Sequence, residues 1–486
     1  MPNHFSTPDW VKNAIFYQIF PDRFAFSERV IKPDNLEAWD APPTVYGFKG
    51  GDLLGVAEHL DYLQDLGITA IYLNPIFQSA SNHRYHTHNY FQVDPLLGGN
   101  TAFRALLAAA HHRDIRIVLD GVFNHASRGF FQFNHILENG PSSPYLDWFN
   151  IKGFPLNAYE REPNYDCWVN LPALPKFNTD NPQVRDFIFD IARYWLEQGI
   201  DGWRLDVPYE IKDDAFWQEF RRVVKDTNAE AYIVGEIAWE AQHWLQGDQF
   251  DAVMNYQFTQ ACLGFFAGER INTGLALGLM GLPETRVLDA SAFARRADEL
   301  LTIYPREAVL AQLNLLDSHD MPRFVTLAGS DKAALRLATL FQMTYPGAPC
   351  IYYGDEIGMQ SGASNIPEDS RHAFPWDQTK WDIELCEYFK ELITLRKAHP
   401  VLRQGEFITL HAEGMLLVFL RRLDEEALIV AINNGTSAQS LDIPFSEDLA
   451  PGKHWRTVLG RGEAEVSGGR LKGSPLPPRS GIVLSA

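Results

Sequence analysis

Short apolar runs alternate with amphipathic stretches of helical period over about the first four-fifths of the chain. Runs of the first kind predict buried parallel strands, and the others predict the helices that connect them. The predicted strands are 14–20, 70–76, 116–123, 201–207, 231–237, 250–256, 312–318 and 349–354. Eight such units predict an α/β fold, a closed (β/α)8 TIM barrel. An open doubly wound sheet is the alternative, but no GxGxxG follows the first strand.

The predicted helices are 56–67, 101–112, 183–199, 213–226 and 332–344, and several begin or end at a recognisable residue. Asn181-Pro182 marks a helix start, because proline is favoured at the first helical position. Gly67 marks a helix end.

The alternation fails in two places, which defines the predicted domains. Residues 124–178 are rich in Pro, Asn, Gly and aromatic residues and are too long for an ordinary loop. After residue 398 the helical period gives way to strand-like runs separated by Gly, Asn and Asp, at 407–411, 416–421, 427–433, 455–459 and 481–485. We therefore expect a catalytic barrel over 1–123 and 179–398, a subdomain inserted after strand three over 124–178, and a C-terminal antiparallel β-sandwich over 399–486.

Composition narrows the class of protein. The chain of 486 residues has a formal net charge of −20, which argues against a nucleic-acid partner. The N-terminus does not resemble a signal peptide, and no apolar run is long enough to cross a membrane. The four cysteines show no CxxC spacing and predict buried thiols in a reducing compartment. We expect a cytoplasmic protein without a membrane partner.

Polar residues collect at the carboxyl ends of four predicted strands, where TIM barrels carry their active sites. These residues are Asp120 and His125, Arg204 and Asp206, Glu236, and Asp317, His319 and Asp320. Any one of them fits a helix cap, a core histidine or a structural ion pair. Four strands that present such residues at one rim instead predict a shared pocket.

Arg204 and Asp206 are two residues apart in a strand and should project to the same face. The guanidinium is expected to lower the pKa of Asp206, which suits a nucleophile. Glu236 has no adjacent cation in the sequence and suits a general acid/base. Paired carboxyl groups of this kind are typical of glycoside hydrolysis.

These segments resemble the four signature regions of the α-amylase family. The matching segments, in order along the chain, are Asp120-Gly121-Val122-Phe123-Asn124-His125, Gly202-Trp203-Arg204-Leu205-Asp206, Gly235-Glu236-Ile237 and Ser318-His319-Asp320. Within the family the chain is most similar to the neopullulanase, cyclomaltodextrinase and maltogenic amylase group. Segments that carry this finer likeness include Ser81-Asn82-His83-Arg84-Tyr85 and Leu174-Pro175-Lys176-Phe177-Asn178.

The resemblance implies a retaining hydrolase of α-1,4 glucosidic bonds that, as is common in this group, also cleaves α-1,6 bonds. It assigns the nucleophile to Asp206, the acid/base to Glu236 and the stabiliser of the transition state to Asp320, with Asp120 in support. The implied substrates are maltooligosaccharides, cyclodextrins, pullulan and branched α-glucans. The predicted substrate-binding residues are Tyr85, which would stack on the sugar, and His125, Arg204, His319, Glu210, Trp239 and Arg323.

The chain also departs from that group. The barrel is expected to begin within about fifteen residues of Met1, as in members that lack the group's N-terminal β-domain. That domain helps to build the dimer of the group, so the resemblance leaves both a homodimer and a monomer open. Ala238-Trp239 follows Glu236 where the group has Trp-His, and Pro208-Tyr209 replaces Ala-Asn. These changes fall on the acceptor side and bear on bond preference.

No cofactor is required by this chemistry, and the metal content is left unknown. The resemblance places Asn124 at a position that binds a structural calcium ion in the family. However, the stretch after Phe24 lacks the Asn/Asp-Gly cluster that binds calcium in some relatives.

Three other functions fit the same fold. An α-glucan transferase or isomerase would use the same carboxylates and exclude water from the acceptor side. An exo-acting glucosidase would need one end of the pocket blocked, for which the insert 124–178 is available. A non-catalytic sugar-binding protein would have lost one of the three carboxylates, and all three are present.

Overall fold

The computed structural model describes residues 5–276, 279–362, 366–446 and 454–486. Eight parallel strands form the predicted barrel: β1 Phe16–Ile19, β2 Ala70–Leu73, β3 Arg116–Gly121, β4 Gly202–Leu205, β5 Tyr232–Gly235, β6 Ala252–Val253, β7 Leu313–Leu315 and β8 Ala348–Tyr352. They pair in the order β6-β5-β4-β3-β2-β1-β8-β7. A parallel bridge between Met254 and Leu313 joins the two ends of this series. The barrel is therefore closed, and the predicted fold class is confirmed.

Helices follow the strands and cover the barrel. Those of six or more residues are Leu53–Glu58, Leu60–Leu66, Gly99–His111, Phe131–Asn139, Pro182–Glu197, Asp214–Thr227, Tyr256–Cys262, Ala290–Leu300, Arg306–Ala311, Lys332–Thr344 and Ile383–Ala398. Asn181 caps its helix by accepting from the N–H of Gln183, with Pro182 at the first position as predicted. The predicted helix 56–67 is instead part of two helices separated at His59, whose ring bonds the carbonyl of Gly55.

Strand six is shorter than the sequence pattern predicts. The apolar run 250–256 predicts seven residues, whereas β6 comprises only Ala252 and Val253, followed by the single bridge of Met254 to Leu313. The side chain of Asn255 accepts a 3.1 Å hydrogen bond from the N–H of Phe258 and caps the next helix. The chain therefore leaves the barrel wall before the apolar run ends.

The insert after β3 packs on the rim of the barrel. It contains the helix Phe131–Asn139 and short antiparallel bridges such as Phe149 with Phe177. A further bridge joins His125, at the end of β3, to Lys176 near the end of the insert. This bridge brings the insert beside the carboxyl ends of the barrel strands.

The C-terminal unit is an antiparallel sheet of eight strands: β9 Glu406–Glu413, β10 Leu416–Leu423, β11 Glu426–Asn433, β12 Gln439–Pro444, β13 His454–Leu459, β14 Glu463–Ser467, β15 Arg470–Leu476 and β16 Ser480–Ser485. Strands β12, β14 and β15 were not predicted, because polar and small residues interrupt their short apolar alternation. The other five strands, β9, β10, β11, β13 and β16, coincide with the predicted runs.

The two faces of this sheet belong to different hydrophobic cores. Along β10, Leu416, Val418 and Leu420 pack with one another and with the C-terminal strands only. The intervening Leu417 and Phe419 belong to the core of the barrel. Because successive side chains of a strand point to opposite faces, one face of the sheet packs within the C-terminal sandwich and the other packs against the barrel.

Among the described residues, no helix is both long enough and apolar enough to span a bilayer.

Candidate active site

The register of the barrel brings the predicted carboxylates together. Asp120 on β3 lies directly beside Arg204 on β4, and Leu205 lies beside Gly235 on β5. Asp206 and Glu236 each follow the last paired residue of their strands, and the N–H of Glu236 donates to the carbonyl of Leu205 at 3.0 Å. Both side chains therefore leave the barrel at the same level, on neighbouring strands.

One guanidinium joins the carboxyl groups of these strands. Arg204 is fully buried, and its Nη1 lies 2.8 Å from Asp120 Oδ1 and 3.1 Å from Asp206 Oδ1. Its Nη2 lies 2.5 Å from Glu236 Oε1. The sequence predicted the contact with Asp206. It did not predict that Glu236 shares the same cation.

Burial dominates the proton affinities of this pair. Burial raises the pKa of Glu236 to about 7, and Arg204 opposes the shift. Burial likewise raises the pKa of Asp206, and Arg204 offsets only part of that rise, contrary to the low pKa expected from the sequence. The carboxylates repel one another, so a proton on Glu236 removes one repulsion from Asp206. With Glu236 protonated, the ion pair with Arg204 favours Asp206 as the anion.

Asp120 is occupied by hydrogen bonds and is not free to react. Besides Arg204, the hydroxyls of Tyr72 and Tyr85 donate to its Oδ2 at 2.7 and 2.8 Å. Its carboxylate therefore orients Tyr85 and Arg204, which agrees with the supporting role implied by the resemblance.

His319 links Tyr85 to Asp320. Its Nε2 lies 2.7 Å from Tyr85 Oη and 2.9 Å from Asp320 Oδ2, and the rings of His319 and Tyr85 are stacked 5.6 Å apart. The amide of Gln18 donates to Nδ1 at 2.8 Å, so the proton of the neutral ring lies on Nε2. Burial lowers the pKa of His319, which favours this neutral form.

Asp320 differs electrostatically from the other two acids. Burial alone would raise its pKa, but His319 and Arg371 outweigh that effect and hold the pKa below its usual range. Arg371 Nη2 lies 2.8 Å from Asp320 Oδ1. The site therefore contains one carboxylate fixed as an anion beside a carboxyl group that keeps a proton up to about pH 7.

These groups open into a cavity of about 510 Å³. Aromatic and histidine side chains dominate its walls, together with the three acids. His125 is buried there and stacks on Trp168 of the insert at 5.4 Å, and burial lowers its pKa to about 3. On another wall the rings of Tyr209 and Trp239 lie 4.6 Å apart, and Trp239 is 41% exposed. Such surfaces suit sugar rings, which present apolar faces and polar edges.

Four predicted substrate-binding residues lie outside the cavity lining: Arg204 and His319, which contact the three acids from behind, and Glu210 and Arg323. Glu210 forms a 2.8 Å ion pair with Lys176 of the insert. Arg323 is fully buried behind the site and pairs with Asp355 at 2.8 Å, with its guanidinium 4.4 Å from the ring centre of Tyr352. The structure thus gives Arg323 a packing role in place of the expected sugar contact. Tyr85, His125, Asp206, Glu236, Trp239 and Asp320 do line the cavity.

Sequence reasoning missed several residues of the cavity. Arg371, Glu368 and Pro367 come from the segment after β8, which has no regular pattern. Trp168 comes from the insert, whose fold could not be predicted. His83 and His86 flank Tyr85, and a period of two across 83–87 would have been the only signal for a shared face.

The surroundings of Asn124 and of the stretch after Phe24 show whether a calcium ion fits there. Asn124 Oδ1 is buried without a hydrogen-bond partner, as a ligand oxygen could be, but its amide nitrogen contacts His125 Nδ1 at 3.1 Å. Near the stretch after Phe24, the buried carboxylate of Asp52 is paired with Lys32 at 3.1 Å. In the parts of the chain that the structure describes, no three His, Cys, Asp or Glu residues are grouped to hold a metal. These residues do not fit a calcium ion.

Comparison with known proteins decides the family. Residues 18–381 match the α-amylase catalytic domain, and residues 405–472 match the α-amylase C-terminal domain. The chain belongs to the α-amylase family. It is 44% identical over 485 residues to neopullulanase 2 of Thermoactinomyces vulgaris, covering 99% of this chain and 79% of that relative. It is also 44% identical over 441 residues to a cyclomaltodextrinase of a Bacillus species, covering 90% and 75%.

A solved structure matches over both full lengths. The debranching enzyme of Nostoc punctiforme is 49% identical and superposes with a TM-score of 0.91. The match covers 99% of this chain and 100% of that one. The α-amylase family member described here is therefore an α-glucan glycoside hydrolase of the neopullulanase and cyclomaltodextrinase group, as the sequence motifs predicted.

Proposed function

We propose that Asp206 is the nucleophile, Glu236 the general acid/base and Asp320 the stabiliser in retaining hydrolysis of α-glucosidic bonds. The observation that supports these roles is the single guanidinium of Arg204 between Asp206 and Glu236. It holds the two carboxyl groups together on neighbouring strands, both facing one cavity, and burial raises the pKa of Glu236 to about 7, so that this acid keeps a proton. Two neighbouring carboxyl groups, one of which carries a proton for the leaving oxygen, are what this reaction requires.

In the first half-reaction, Asp206 attacks the anomeric carbon while the bond from that carbon to the leaving oxygen breaks. Glu236 gives its proton to the leaving oxygen, which departs as a neutral hydroxyl. Positive charge develops on the sugar ring, and the anion of Asp320 faces it. A glycosyl ester of Asp206 remains.

In the second half-reaction, Glu236 is the base. It takes a proton from water as the water oxygen attacks the anomeric carbon, and the ester bond to Asp206 breaks. Two displacements at one carbon return the original anomeric configuration. Asp206 leaves as the anion that Arg204 stabilises, and Glu236 is again protonated.

We propose short and branched α-glucans as substrates, with cleavage of α-1,6 as well as α-1,4 bonds. Support comes from the relatives named neopullulanase and debranching enzyme, and from the exposed pair Tyr209 and Trp239 at the cavity wall. An open aromatic wall on the acceptor side would accept a sugar that approaches through its 6-hydroxyl.

A product profile by chromatography tests the substrate proposal. The four substrates are cyclodextrin, pullulan, a linear maltooligosaccharide and a singly branched maltooligosaccharide. We expect linear chains to be released from the branched substrate. Cyclodextrin opened in preference to all others would contradict the preference for branches, and transfer products in excess of free sugar would identify a transferase.

The variant Asp206→Asn tests the residue roles. We expect turnover to fall about 10⁴-fold or more while the circular dichroism spectrum stays unchanged. Asp190→Asn, an exposed change on the helix Pro182–Glu197, is the matched control. Near-normal turnover in Asp206→Asn would disprove the assignment of the nucleophile.

We propose a cytoplasmic location and keep the homodimer as a prediction. The location is supported by a relative named intracellular maltogenic amylase from Bacillus subtilis and by four free cysteines. Cell fractionation tests the location, and light scattering after size exclusion measures the oligomeric state.

A further inference from the structure

Arg371 is a second arginine of the site, and it contacts Asp320, a carboxylate that Arg204 does not pair with. It lies after β8, is 6% exposed, and points its guanidinium at the end of β7. Nη2 contacts Asp320 Oδ1 at 2.8 Å, and Nε donates to the carbonyl of His319, also at 2.8 Å. One side chain therefore holds both the backbone and the carboxylate of two successive residues.

The two oxygens of Asp320 are held by different partners. Oδ1 faces Arg371, and Oδ2 lies 2.9 Å from His319 Nε2. Since Arg371 also bonds the carbonyl of His319, the three residues form a closed ring of contacts. We infer that Arg371 is a positioning residue that fixes the plane of the Asp320 carboxylate against the reacting sugar. This inference rests on the proposed role of Asp320.

The other contacts of Arg371 make it rigid. Its guanidinium lies 5.3 Å from the ring centre of Phe20, and Nη1 lies 3.4 Å from Glu368 Oε1. A side chain fixed at four points is not free to reorient towards a sugar. Its effect on the reaction is therefore expected to pass through Asp320.

Arg371 also affects the net charge of the site. The Arg204 guanidinium faces Asp120, Asp206 and Glu236, and Arg371 is the separate cation of Asp320. With Glu236 protonated, the carboxylates of Asp120, Asp206, Asp320 and Glu368 outnumber the two guanidinium groups, which leaves net negative charge opposite the cationic transition state. Without Arg371 the negative excess would grow by one charge, and Oδ1 of Asp320 would lose the partner that fixes it.

Three variants test the inference: Arg371→Ala, Arg371→Lys and Asp320→Asn, with Arg193→Gln on an exposed helix surface as control. We expect Arg371→Ala to lower kcat about 100-fold, the effect of a misplaced reacting group, with KM changed less than about threefold. Arg371→Lys keeps the charge but loses the planar guanidinium that reaches two acceptors at once. Its kcat should lie between those of Arg371→Ala and the unmodified protein. Added guanidinium ion at millimolar concentration should restore part of kcat in Arg371→Ala, which a structural defect would not allow.

The outcomes separate this inference from the proposed function. A raised KM with unchanged kcat in Arg371→Ala would overturn the inference, because that result indicates a direct sugar contact. Loss of kcat with no response to guanidinium and equal loss in Arg371→Lys would also overturn it. If Asp320→Asn keeps normal kcat, the proposed role of Asp320 fails. If Asp320→Asn is inactive and Arg371→Ala is normal, only the inference fails.

Discussion

The backbone N–H of Val207 donates a 3.2 Å hydrogen bond to Glu236 Oε2 from the residue directly after Asp206. Val207 adopts φ 36° and ψ 50°, a left-handed conformation that costs a β-branched residue about 1–2 kcal/mol. The turn aims the N–H at Glu236 and ends the strand that carries Asp206. Strain at this residue thus couples the geometry of the nucleophile to that of the acid/base.

Replacing Val207 tests this coupling. In Val207→Gly the left-handed conformation costs little, but the peptide is no longer confined to it. We expect kcat to fall about tenfold through the displaced Glu236, with the free energy of unfolding changed by less than about 1 kcal/mol. Val207→Ala keeps a Cβ and is the control for lost packing. Equal kcat in Val207→Gly and the unmodified protein would show that the peptide does not position Glu236.

The pH dependence of kcat/KM should report Glu236. Its first task is to donate a proton, so the protonated form is active, and burial raises its pKa to about 7. As pH rises past about 7 the active form is lost, and kcat/KM should fall about tenfold per pH unit. An aryl glucoside with an acidic leaving group needs little proton donation and should show a weaker decline. An alkaline limb that is identical for both substrates would assign the titration to another group.

Trp239 should control the acceptor side. Because it is 41% exposed, its replacement by alanine should change the free energy of unfolding by less than about 1 kcal/mol. We expect a KM for the branched substrate raised about tenfold, by analogy with a lost stacking contact of about 1.4 kcal/mol, and a smaller share of transfer products. Tyr209→Phe keeps the neighbouring ring and is the control. An unchanged KM on every substrate would remove Trp239 from the binding surface.

Arg323 should contribute to stability and not to binding. Arg323→Met leaves the buried Asp355 unpaired, which costs about 3 kcal/mol, and the double variant with Asp355→Asn should recover most of that loss. Urea unfolding measures both. The KM of the folded enzyme should be unchanged. A raised KM without loss of stability would restore the sugar-binding role expected from the sequence.

Sequence patterns predicted what depends on local period and on strand ends. The spacing of Arg204 and Asp206 sufficed to place them on one face, and the four strand-end motifs placed Glu236 and Asp320 in the same pocket. The barrel itself followed from its eight buried apolar runs. These features are written in neighbouring residues.

Contacts between distant segments could not be predicted in this way. Arg371 reaches Asp320 from a loop without a regular pattern, and Trp168 reaches His125 from an irregular insert. The net pKa of Asp206 depends on burial and on neighbours from other strands, so the adjacent arginine alone gave the wrong direction. Glu210 and Arg323 were predicted from sequence likeness, which does not show which way a side chain points.

The alternating faces of β10 determine how the protein as a whole responds to stress. Because Leu417 and Phe419 belong to the barrel core while Leu416 and Val418 close the C-terminal sandwich, the sheet is a shared wall between two interiors. Arg421 of the same strand reinforces that wall by donating to the carbonyl of Leu402 at 2.8 Å. Unfolding of the sandwich would therefore expose part of the barrel core to solvent as well. We expect the two units to unfold in one cooperative transition.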